Sequence, residues 1–207
     1  MPSTRRSKLQ FLFAPGAGAP SSSEWMQDFA KRLDPLGQVR CFDYPYQRVG
    51  RRSPDPHNKL VTAHRTALEQ LRAESKAADI VLIGKSMGGR IGCHVAVDLG
   101  QAGPRALVCL GYPLVGGGRM RDEVLLALTT PILFVQGTRD PMCPIDKLKH
   151  VCERMKAPHR VHLVEGGDHS LRVTAAQLRA SALSQSDVFD GVLSAVADFL
   201  RSVPSNG

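Results

Sequence analysis

Short apolar runs alternate with longer amphipathic ones along this chain. Leu9–Ala14, Val39–Pro45, Asp79–Gly84, Arg105–Pro113, Pro131–Gly137 and Arg160–Gly166 are the apolar runs, and each predicts a strand. Between them lie segments with helical spacing. Ser22–Leu33 places Trp25, Phe29 and Leu33 four residues apart, and Lys59–Glu74 lines up Leu60, Ala63, Ala67, Leu68 and Leu71 on one stripe. Ser86–Leu99, Ile145–Met155 and Asp187–Leu200 complete the predicted helices. Strands alternating with helices predict an α/β three-layer sandwich, with a mainly parallel central sheet of about six strands covered on both faces. In such a sheet functional groups gather at the carboxyl ends of the strands.

Composition narrows this picture. The chain has 207 residues, 43% of them hydrophobic, which suits one globular domain. A flexible basic tail over residues 1–8 and a single domain over 9–203 are expected. The apolar part of the N-terminal stretch is about six residues, shorter than a signal-peptide core of roughly 7–15. No apolar stretch reaches the length of a membrane span. The five cysteines (41, 93, 109, 143 and 152) form no CxxC pair, so no metal site is expected and reduced thiols in a cytoplasmic or nuclear protein fit best. The formal charge is +8, but the cations are scattered and lack interleaved aromatics, so no nucleic-acid partner is expected. The exceptions are the N-terminal tail and Gln47–His57, which holds Arg48, Arg51 and Arg52.

The candidate chemistry centres on Gly84-Lys85-Ser86-Met87-Gly88. Gly84-Lys85-Ser86 could end a phosphate loop, but Asp79 stands where that pattern needs its first glycine, and the strand abuts Gly84 with no loop to wrap a phosphate. A dinucleotide fingerprint competes at Gly16-x-Gly18-x-x-Ser21, with Asp43 as the ribose acid. Ser21 replaces its third glycine, and Pro20 removes an N–H where pyrophosphate would sit. The remaining reading is a nucleophile elbow: a serine on a sharp strand-to-helix turn, flanked by glycines that relieve crowding.

A nucleophilic serine needs a base and an acid that orients the base. Asp140 follows the strand Pro131–Gly137, and His169 follows the strand Arg160–Gly166. The order Ser86, Asp140, His169 is the one this fold requires. Asp168 is the rival acid, but its adjacency to His169 suits it to shaping the loop. The oxyanion would take the N–H groups of Met87 and Ala17, with Gly16 as the near alternative to Ala17. Gly16 and Gly18 let the backbone approach a substrate closely. Arg51 and Arg52, after the second strand, predict a preference for an anionic ester. Cys143 is expected to pack in a turn.

These residues resemble the α/β-hydrolase superfamily, in particular its small dienelactone-hydrolase-like members. The segments APGAGAPSSSEWM, FDYPY, GKSMGGR, LGYPL, RDEVLLAL, PILFVQGTRDPMCP and EGGDHSL resemble most closely the family of subunit three of the NSL histone-acetyltransferase complex and its short bacterial and plant relatives. The resemblance implies an α/β-hydrolase fold with Ser86, Asp140 and His169 as triad. Many relatives carry His-Gly where this chain has Pro15-Gly16, and dienelactone hydrolase itself uses a cysteine where Ser86 stands. Only Leu114–Thr130 occupies the place of a lid, which allows one short helix and no cap domain. The expected activity is serine-dependent hydrolysis of a small ester or thioester through an acyl-enzyme, without cofactor, by a monomer or weak homodimer. The alternative is a catalytically weak or inactive scaffold on the same fold, either in a chromatin-linked assembly or as a small-molecule receptor.

Overall fold

In the computed structural model, residues 9–75 and 79–205 are described. The basic segment 1–8, expected as a tail, lies outside them. Six strands form one parallel sheet: β1 (Gln10–Ala14), β2 (Gln38–Cys41), β3 (Ile80–Lys85), β4 (Ala106–Leu110), β7 (Ile132–Gly137) and β8 (His159–Val164). Their order is β2-β1-β3-β4-β7-β8. The chain leaves β1 to one side for β2 and returns to the other side for β3. The carboxyl ends of β1 and β3 therefore flank the point where the winding reverses, the place where open α/β sheets bind ligands.

The inner strands are mostly apolar because both faces are covered. Phe11 and Phe13 of β1, Val81 and Ile83 of β3, and Val108 of β4 face one layer, which contains α1 (Glu24–Leu33) and α8 (Gln185–Ser202). Leu12, Leu82, Leu107 and Phe134 face the other, with α3 (His57–Glu74), α4 (Met87–Leu99), α5 (Glu123–Ala127) and α6 (Ile145–Arg154). All five cysteines are free, and Cys143 is wholly buried.

Several boundaries differ from the sequence expectation. The second strand stops at Cys41 rather than Pro45, because Pro45 instead opens the short helix α2 (Pro45–Arg48). The fourth strand ends at Leu110, where Gly111 turns the chain at φ 68°. The last ends at Val164, just before Gly166 at φ 68°. Leu114–Thr130 holds a two-stranded hairpin, β5 (Val115–Gly116) with β6 (Arg119–Met120), followed by α5. Its Leu114, Val124, Leu125 and Leu128 are buried in the core, so the segment folds down onto the domain and builds no cap. A further short helix, α7 (Ala175–Ser181), has no buried residue and left no apolar stripe to predict it from.

Candidate active site

Ser86 stands between β3 and α4 with φ 50° and ψ −115°. That backbone is costly for a side chain other than glycine's, and the surroundings enforce it. A Cβ on Gly84 would lie 2.2 Å from Gly89 N, and one on Gly88 would lie 2.5 Å from Ala14 O. Only glycines let strand, turn and helix meet this closely. Ser86 N donates to Leu110 O at 3.0 Å, anchoring the turn to β4.

His169 and Asp140 come to Ser86 from two other strand ends. His169 Nε2 lies 2.8 Å from Ser86 Oγ, and His169 Nδ1 lies 2.7 Å from Asp140 Oδ2. An ionised carboxylate only accepts, so Nδ1 carries the imidazole proton and Nε2 is left to accept from the serine hydroxyl. Asp140 is further held by Gln136 Nε2 at 2.6 Å and by Met142 N–H, which donates to Oδ1 at 2.8 Å. Burial pushes the Asp140 carboxyl up, but the hydrogen bond and charge of His169, with those two N–H donors, outweigh it and hold the group below its usual range. Gln136 Oε1 in turn accepts from Tyr112 N at 3.0 Å.

The loop after β1 lies across from the elbow. Tyr46 donates its hydroxyl to Ala17 O at 2.9 Å, and Gln47 Nε2 donates to Gly16 O and Ala19 O, both at 2.9 Å. These carbonyls are thus fixed from α2. Met87 is the first residue of α4, where an N–H has no partner within the helix. Ala17 N–H donates no hydrogen bond among the described residues. Asp43, the candidate ribose acid, spends Oδ1 on Ser21 N–H at 2.6 Å and so pins the far end of this loop.

Ser86 and His169 open onto a cavity of about 530 Å³. Gly16, Ala17 and Gly18 line one side, Trp25, Met26 and Met142 supply apolar surface, and Lys85 and Arg172 bring positive charge. Arg51 and Arg52 are not among its lining residues. Arg51 is engaged instead by the buried carboxylate of Asp55 at 2.6 Å, which Lys59 also approaches at 3.2 Å. The expected anion preference thereby loses the side chains assigned to carry it. Asp168 shapes the histidine loop as expected, with Oδ1 accepting Ser170 N–H at 2.7 Å and Arg172 N–H at 2.9 Å. Sequence reasoning missed Gln136 as a partner of Asp140; its one signal was a polar residue inside an otherwise apolar strand.

The chain belongs to the alpha/beta hydrolase domain family, whose model matches residues 7–201. Solved structures that share the fold include the following three. A lidless α/β serine hydrolase from Xanthomonas campestris is 17% identical, with a TM-score of 0.74 over 100% of this chain and 88% of its own. A dienelactone hydrolase from Anabaena variabilis is 16% identical, with a TM-score of 0.72 over 98% of this chain and 89% of its own. An alpha-beta serine hydrolase homologue from Coxiella burnetii is 20% identical, with a TM-score of 0.71 over 92% of this chain and 88% of its own. Among the described residues, no helix is long and apolar enough to cross a membrane.

Proposed function

We propose that this protein is a serine hydrolase acting on a small carboxylic ester or thioester. The observation that carries the proposal is the continuous hydrogen-bonded relay Asp140–His169–Ser86, with links of 2.7 and 2.8 Å, ending at the mouth of a cavity. Ser86 Oγ attacks the acyl carbon while His169 Nε2 takes its proton, and the N–H groups of Met87 and Ala17 receive the oxyanion. Collapse of the tetrahedral intermediate expels the leaving group, which takes the proton from His169. Water, activated by the same imidazole, then hydrolyses the acyl-serine. Asp140 keeps the productive tautomer and stabilises the imidazolium. A cavity with no cap above it suits compact acyl groups.

A fluorophosphonate probe tests the reading. The folded protein should be labelled, and Ser86→Ala and His169→Ala should not. A folded wild-type protein that resists the probe would turn the assignment toward a binding subunit, the role the NSL-like resemblance allows. A panel of p-nitrophenyl esters and acyl-CoA thioesters, including neutral and carboxylated pairs, would then define the acyl and leaving groups.

A further inference from the structure

We infer that Lys85 and Trp25 form a clamp on the loop that carries His169, with Lys85 as a positioning residue that ties the base to the nucleophile. The inference rests on the serine-hydrolase reading above.

Between β8 and α7 the chain has no regular structure, yet it must hold an imidazole in register with two partners. Its own bonds centre on Asp168: its N–H donates to Arg172 O and its carbonyl accepts from Leu171 N–H, both at 2.9 Å, its Oδ1 accepts from Ser170 N–H and Arg172 N–H, and Leu171 sits buried at φ 61°. Three carbonyls inside the turn are taken by side chains from outside it. Lys85 Nζ donates to His169 O, Trp25 Nε1 donates to Ser170 O at 3.0 Å, and Gln185 Nε2 donates to Leu171 O at 3.1 Å. The first two grips support each other. The Lys85 ammonium lies 5.5 Å from the centre of the Trp25 ring, within cation–π range, and Trp25 is stacked on Phe29 at 4.4 Å. Lys85 also packs its stem beside Gly16, where an added Cβ would stand 3.4 Å from Lys85 Cγ. One side chain thus touches both the loop after β1 and the histidine loop.

The position of Lys85 in the chain gives the clamp its purpose. It is one peptide bond from Ser86. Nucleophile and base are therefore joined twice, through Ser86 Oγ to His169 Nε2 and through Lys85 to His169 O. The first link is lost once Oγ is acylated, because the hydroxyl proton has left. The second persists and keeps the imidazole where it must activate water. Burial draws the Lys85 ammonium down to about 8, against the carboxylates of Asp140 and Asp168 that favour its charge. His169 and Arg172, on the same loop, are the other titratable or charged side chains at this wall of the cavity.

The test uses steady-state hydrolysis of p-nitrophenyl acetate alongside fluorophosphonate labelling. Lys85→Met should lower kcat about tenfold to hundredfold with KM within threefold, because misplacing a catalytic group by an ångström has that effect. Lys85→Arg should recover most of the loss. Trp25→Phe, which keeps an aromatic face and removes the N–H, should lower kcat in the same sense. The wild-type rate should fall above about pH 8 as the ammonium discharges, and Lys85→Arg should not show that limb. Folded Lys85→Met at the wild-type kcat would overturn the clamp. If that variant does not fold, Trp25→Phe and Lys85→Arg decide: an unchanged kcat in the first together with an alkaline limb kept in the second overturns it. A wild-type protein that resists the probe fails the serine-hydrolase reading instead, so the two failures are distinct.

Discussion

Gln136 hands a hydrogen bond of 2.6 Å to the same Asp140 oxygen that receives His169 Nδ1. The carboxylate is thereby oriented by the strand it follows as well as by the base it serves. Asp140→Asn should keep the fold and lower kcat by about 10⁴, because the amide favours the wrong imidazole tautomer. Gln136→Leu should cost less, about tenfold to hundredfold, the equivalent of one buried hydrogen bond to a charged group. Ester kinetics on both variants check the ranking, and a Gln136→Leu loss as large as Asp140→Asn would contradict it.

The elbow stores backbone strain at Ser86, whose φ is 50°. Ser86→Gly and Ser86→Ala both remove the hydroxyl and should both be inactive. Only glycine relieves the strain, so Ser86→Gly should be the more stable by about 1 kcal/mol. At this chain length that is a melting temperature about 2–4 °C higher. Thermal denaturation of the two variants side by side checks it.

Gly88 and Gly18 should respond differently to alanine. A Cβ on Gly88 would lie 2.5 and 2.6 Å from the carbonyl oxygens of Ala14 and Pro15, whereas one on Gly18 meets nothing within 4 Å. Gly88→Ala should destabilise by about 1–3 kcal/mol or more and displace the loop after β1. Gly18→Ala should leave the melting temperature within a degree or so. Denaturation curves with probe labelling of each variant measure both effects.

His64 should make the fold sensitive to acid. It is fully buried against the Tyr44 hydroxyl at 3.1 Å, and burial draws its imidazole down to about 3. In the unfolded chain it takes a proton near 6.5. Because the folded value is depressed, its contribution is complete above pH 6.5 and is lost as pH falls toward 3. The slope should reach about 1.4 kcal/mol per pH unit from this residue alone. His94 adds in the same direction, drawn down to about 4 by burial, His57 and Arg90. Urea unfolding from pH 7 to 4 should show a shallower slope in His64→Gln than in the wild type.

The centre of the sheet was legible because its inner strands are buried on both faces and read as apolar runs, as in Ile80–Ile83 or Ile132–Val135. The relay was legible because strand ends mark where chemistry can sit. What escaped detection depends on contacts between distant segments. Asp55 stands only four residues past Arg51, but it is the bond from Tyr46 N–H in α2 that holds this buried carboxylate where it claims the guanidinium. The local sequence gives Lys85 no partner, since the carbonyl it grips lies 84 residues away. The helix α7 escaped because it buries nothing and so has no period.

The stretch from Leu114 to Thr130 sends Leu114, Val124, Leu125 and Leu128 down into the core. Nothing in it therefore has to swing aside before substrate arrives. Turnover should proceed without an opening step, showing no lag, no activation at an oil–water interface, and no viscosity dependence beyond that of diffusional encounter. On the proposed serine-hydrolase reading, the speed limit should then fall on making or breaking the acyl-serine rather than on a moving part.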